Sequence, residues 1–193
     1  MTAGRRACVL FAAWLAAVAA YGQAADTRTL ELDGGASVTY ALRTYAADAH
    51  LLRPAADLAP DSALNAAKLL NLYLSIGDIE AAALLSNSPR RRFELLRDYR
   101  EKVGAEEFKR VFAQYFAPEN RLVAEIIIGN HSLLVWDLRE SATRIAGQYF
   151  VEIDGRYFID DTPNEVRSRL QLVLAAYRSG KLPGPHPANA SGS

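Results

Sequence analysis

The side chain best placed for acid–base chemistry in this sequence is Glu125. It stands inside the apolar, β-rich run Val123-Ala124-Glu125-Ile126-Ile127. A two-residue period puts it on the face shared by Val123 and Ile127. If that face lines a pocket, Glu125 is a desolvated carboxylate suited to general acid–base catalysis. If it faces water, Glu125 is an ordinary solvated carboxylate. Asp137, directly after Trp136, is a second catalytic candidate, and Gln148 and Glu152 lie beside Tyr149 and Phe150. Trp136 and Tyr149 would wall an apolar ligand with Gln148 as its polar contact, and they serve equally well as core residues.

Other reactive patterns are scarce. Of the three histidines, His186 falls in a Pro/Gly/Ser/Ala-rich tail, His131 at a hairpin turn, and His50 in a connector. No metal-binding histidine spacing, serine-nucleophile elbow, phosphate loop or dinucleotide fingerprint occurs, so neither a metal nor a cofactor is expected. Arg90-Arg91-Arg92 is unusual because it places three cations in the first turn of a helix, where the macrodipole favours acids. One reading is a tolerated electrostatic cost. The other is a docking patch for an acidic partner.

The elements that would position these residues begin with an export signal. Arg5 and Arg6 precede an apolar stretch, Ala7–Ala20, and Gly22-Gln23-Ala24 supplies small residues for cleavage before Ala25. The stretch is short of the roughly 20 residues that span a bilayer, so stable membrane insertion is not expected after cleavage. Cys8 lies at its start rather than after it, which argues against a lipoprotein signal. Loss of residues 1–24 removes the only cysteine, and with it disulfide, thiol and cysteine-ligated metal chemistry. Balanced charge over the 193 residues, 22 basic against 22 acidic, gives no electrostatic footprint for nucleic acid. The expected location is the periplasm, or the medium if the chain is secreted.

Residues 25–60 read as an N-terminal hairpin and connector, with Leu30 and Leu32 before Asp33-Gly34-Gly35 and Val38, Tyr40 and Leu42 after it. Residues 61–181 read as one α+β domain. Helices run from Asp61 or Ser62 to Gly77, from Asp78 to Leu85 and from Pro89 to Gly104. A fourth carries Phe108, Val111, Phe112, Tyr115 and Phe116 as one aromatic stripe. Strands follow at Leu122–Ile128, Ser132–Leu138, Ile145–Ile153 and Arg156–Asp160, the last two joined by Asp154-Gly155. Thr162-Pro163-Asn164-Glu165 reads as a capping box opening a last helix with Val166, Leu170, Val173, Leu174 and Tyr177 on its buried face. Residues 182–193 are expected to be disordered. The expected architecture is therefore α+β, with N-terminal helices packed on one face of a curved antiparallel four-strand meander, plus an added N-terminal hairpin and a C-terminal helix.

The run Leu72-Tyr73-Leu74-Ser75-Ile76-Gly77-Asp78-Ile79-Glu80-Ala81-Ala82, followed by the later hairpin at Tyr149–Ile159, resembles nuclear transport factor 2-like domains over residues 61–161. In that family a helix ends at Gly-Asp, a second begins at once, and a four-strand meander closes a cone. The resemblance implies a pocket between helices and sheet. It does not fix a function, since members include isomerases, dehydratases and plain binding domains. Three readings follow: a non-catalytic exported domain that binds a small apolar ligand or a protein partner, a small cofactor-independent proton-transfer enzyme of isomerase or dehydratase type using Glu125 or Asp137, and a secreted protein that docks an acidic partner through Arg90, Arg91 and Arg92. The lack of any catalytic motif favours the first. An open meander edge could also pair two copies in a homodimer.

Overall fold

A computed structural model describes residues 25–32, 35–52, 58–139 and 144–182. Residues 1–24, read above as an export signal, Asp33 and Gly34, read as a turn, and residues 183–193 with His186, read as a disordered tail, lie outside the described residues. Within them, the order is β1 (Asp26–Glu31), β2 (Ser37–Arg43), α1 (Ala63–Ile76), α2 (Ile79–Ala83), α3 (Pro89–Val103), α4 (Ala105–Ala113), a 3-10 turn (Gln114–Phe116), β3 (Arg121–Ile128), β4 (His131–Asp137), β5 (Ile145–Ile153), β6 (Arg156–Ile159) and α5 (Glu165–Arg178). The class is α+β, as expected. No described helix is long and apolar enough to cross a membrane.

Local chemistry sets the helix ends. The Ser62 hydroxyl accepts from the Asn65 amide at 3.2 Å, and Gly77 ends α1 at φ 85°, a conformation cheap only for glycine. Asp78 caps α2 at once, accepting from the Ala81 amide at 2.9 Å. The last helix starts later than the capping box implied. Asn164, not Thr162, is its cap, because the Asn164 carboxamide oxygen takes the Arg167 amide at 2.7 Å.

The strands form one six-stranded antiparallel sheet in sequence order. The N-terminal hairpin is thus no appendage: Leu42 and Arg43 of β2 pair with Ile126 and Glu125 of β3. At the far edge, β6 is covered by residues 85–87, where Ile159 donates to the Leu85 carbonyl at 2.7 Å and Asn87 to that of Ile159 at 3.0 Å. The other outer edge belongs to β1.

The helices do not all share one face. Leu134, Trp136 and Phe150 pack with α1, α2, α3 and α4 in one core. Leu133, Val135, Ala124 and Ile126 pack with Leu170, Val173 and Leu174 of α5 in a second core on the opposite face. Strand alternation assigns these sides, so the sheet is sandwiched between α1–α4 and α5. Phe108, fully buried, anchors the aromatic stripe, with ring centroids 5.0 Å from Phe112 and 5.8 Å from Tyr99. Such tilted pairs add about 0.5–1.5 kcal/mol each beyond their burial.

Candidate functional site

Glu125 lies on the α1-side face and is 1% exposed, so it is not solvated. A register shift between Leu122 and Ala124 takes Val123 off that face and onto the α5 side, leaving Ile127 as the same-face neighbour. Arg43 is its direct cross-strand partner on β2. The Arg43 guanidinium donates from Nη1 to Glu125 Oε2 at 2.8 Å, and the Tyr45 hydroxyl donates to the same oxygen at 2.5 Å. The Ser132 hydroxyl, from β4, donates to Oε1 at 2.8 Å. Both carboxylate oxygens are therefore engaged, by three donors from three segments.

The charges explain how this cluster is protonated. Burial by itself would lower the Arg43 guanidinium, but the Tyr45 hydroxyl and the Glu125 charge overcome it and raise it. Burial, then the Glu125 charge, pushes the Tyr45 phenol well above its ordinary range, so it stays a donor. Tyr157 on β6 joins the same field. Burial, followed by the negative charges of Glu152 and Glu125, raises its phenol to about 12, with Arg43 opposing. Its hydroxyl donates to Glu152 Oε2 at a long 3.3 Å. The arrangement holds the Glu125 side chain in place and keeps two phenols neutral around it.

A pH dependence follows. Tyr115, Tyr157 and Tyr177 are each raised from 10.0 to about 12, chiefly by burial. A phenol raised by folding keeps its proton longer in the folded chain. The stability it contributes is full below pH 10 and is lost as pH rises towards about 12. Near-ultraviolet phenolate absorbance recorded beside circular dichroism checks this: the three phenols should ionise near pH 12 or together with unfolding, not in the ordinary tyrosine range.

Asp137 does not join Glu125. It follows Leu133 and Val135 onto the other face, is 3% exposed, and is gripped by Arg144, whose Nε donates at 2.8 Å and Nη2 at 3.3 Å. The two proposed ligand walls are likewise separated by the sheet. Trp136 is buried at 1% on the α1 side, edge-on to Tyr115 with centroids 5.1 Å apart, whereas Tyr149 lies under α5 with the Arg167 guanidinium 4.9 Å from its ring centre. Gln148 is on the Trp136 side and donates to Asn71 Oδ1 of α1 at 2.9 Å. His50 is buried, its Nε2 3.2 Å from the Ala117 carbonyl. His131 is no solvated turn residue either: its Nε2 lies 3.6 Å from Asp160 Oδ2 and its side chain is 15% exposed.

The three arginines of α3 divide. Arg92 donates to both oxygens of Asp161, from Nε at 2.8 Å and Nη2 at 2.6 Å, and Ser86 adds a hydroxyl at 2.6 Å. This fixes the start of α3 to the end of β6 and offsets the dipole cost at one of the three positions. Arg92 is therefore a fastening rather than an open docking residue. Arg90 is 94% exposed and reaches only Glu94, one turn on, while Arg91 is exposed with a 3.5 Å contact to the Asp161 carbonyl. Arg92→Ala should cost about 2 kcal/mol in urea unfolding, because it leaves Asp161 half-satisfied. Arg90→Ala should change stability by less than about 0.5 kcal/mol.

Two of the surface concavities among the described residues have the following linings. One, of about 280 Å³, lies between the α1–α2 corner and α3, with Ile79 and Phe93 among Arg97, Arg100, Glu80 and Glu101. The other, of about 310 Å³, is bounded by Arg139 and Arg144. Neither reaches Glu125. No group of three or more His, Cys, Asp or Glu side chains capable of holding a metal ion occurs among the described residues. A scan against models of protein families, a search of curated proteins and a search of solved structures each found no match to the chain.

Arg43, Tyr45, Ser132, Tyr157 and Asn71 were not singled out by sequence reasoning. The usable signal was Arg43 itself, a charge closing the alternation Val38-Tyr40-Leu42 on its opposite face, just as Glu125 interrupts an apolar strand. Opposite charges on two such strands are a cue to pairing.

Proposed function

We propose that the chain is an exported, non-catalytic domain that works by binding a protein partner, built as a nuclear transport factor 2-like cone. The observation that carries this reading is the occupancy of Glu125: Arg43, Tyr45 and Ser132 donate to both of its oxygens, so neither is left open to a substrate. The space a cone ligand would take is packed with Leu134, Trp136, Leu138 and Phe150, each 1% exposed or less. Large apolar side chains stand open instead on the helical layer, with Leu84 69%, Ile76 61% and Leu95 51% exposed, and the exposed Arg90 and Arg91 begin the helix that carries Leu95.

Trp136 is the only tryptophan after residue 24 and reports directly on the interior. Titration with an apolar fluorophore should leave its emission unchanged and show no saturable site. Stoichiometric binding with Trp136 quenching would replace this reading by the small-ligand one. A photo-crosslinking residue at Leu95 tests the positive half. A discrete adduct that Arg90→Glu with Arg91→Glu removes is expected, and its absence in cells of the native host would contradict partner binding through this layer.

A further inference from the structure

Four polar atoms on the α1 side of the β4–β5 pair have no hydrogen-bond partner among the described residues: Asn71 Nδ2, Gln148 Oε1, Trp136 Nε1 and His50 Nδ1. Asn71, Trp136 and His50 are 0%, 1% and 1% exposed. The four form two complementary couples. Gln148 Nε2 already donates to Asn71 Oδ1, so the other ends of the same carboxamides leave one donor, on Asn71, and one acceptor, on Gln148. Turning both carboxamides over only exchanges the orphaned ends. In the second couple, His50 Nε2 faces the Ala117 carbonyl, which can only accept. That nitrogen therefore carries the proton, and in the neutral ring Nδ1 is left as an acceptor. The Trp136 indole, which can only donate, stands edge-on to the His50 ring with centroids 6.4 Å apart.

Trp136 pairs with Ala146, and Gln148 is the next β5 residue on that face, so the two couples are diagonal neighbours. Buried polar groups are rarely left unpaired, and an internal water commonly satisfies a buried donor and a buried acceptor together. We infer that two internal waters are held on this face, one at each couple. One accepts from Asn71 Nδ2 and donates to Gln148 Oε1; the other accepts from Trp136 Nε1 and donates to His50 Nδ1. Together they tie α1 and the His50 connector to the sheet through an otherwise apolar layer.

Water-selective nuclear Overhauser spectra of the isotope-labelled full chain test this. The Asn71 carboxamide and the Trp136 indole N–H should each show a cross-peak to water with the sign of a long-lived bound molecule. Gln148→Leu should abolish the Asn71 peak and keep that of Trp136, and His50→Leu should do the reverse. A wild-type spectrum in which neither group sees bound water overturns the inference, whether or not either variant folds.

Discussion

Replacing Arg43 by methionine is expected to lower the unfolding free energy by about 3 kcal/mol, which for a chain of this size is a fall of roughly 6–12 °C in Tm. The methionine keeps the aliphatic stem against the strand and removes only the charge. Glu125, 1% exposed, then retains two neutral hydroxyl donors and no cation. A buried carboxyl left that way has lost the cation that offset the cost of its burial. The figure sits at the low end of the range for broken buried pairs because the Arg43 side chain is 35% exposed, so water screens part of the loss. Thermal unfolding followed by circular dichroism measures it.

Gly147→Val should cost about 2–3 kcal/mol, for a reason that lies on the other face of the sheet. Gly147 sits opposite Val135, and a Cβ built there would come within 2.6 Å of Leu174 Cδ2 on α5 and 3.0 Å of Leu133 Cδ1. Both are side-chain ends, so they can move, but Leu174 is 4% and Leu133 0% exposed, and there is little room to move into. The backbone itself has no need of glycine, since its φ lies outside the left-handed region. The cost is therefore one of space. Leu174→Ala in the same chain should recover part of it, and full stability of Gly147→Val would contradict the close approach of α5 to β5.

The helices were legible because their boundaries are local chemistry. Gly77, Asp78, Pro89 and Gly104 mark ends and starts within a residue or two, as did the Asp154-Gly155 turn, whose φ values of 51° and 74° suit a primed hairpin. The site was only half legible. Glu125 stood out as a charge in an apolar strand, but its partners Arg43 and Tyr45 lie 82 and 80 residues away, and no local pattern fixes such a pairing. The Leu122–Ala124 irregularity also escaped a strict two-residue period, which put Val123 on the wrong side. The same limit hid the separation of Trp136 from Tyr149. Alternation within one strand says which residues share a face, but relating faces across strands needs the register. The position of α5 was unreadable for a similar reason: its apolar stripe shows that it is half-buried, not which side of the sheet it covers.

The most direct test of the claim that Glu125 is a fixed structural charge is a double-mutant cycle of Arg43→Met and Glu125→Gln in urea unfolding. Glutamine removes the charge, keeps a carbonyl acceptor for one of the Tyr45 and Ser132 hydroxyls and offers the other an N–H donor. The account predicts a coupling of about 2 kcal/mol, with the double variant more stable than Arg43→Met alone. A coupling below about 0.5 kcal/mol would mean that the carboxylate does not depend on its cation. The claim that Glu125 is fixed by its cation would then fail, and the enzyme reading would displace the binding one.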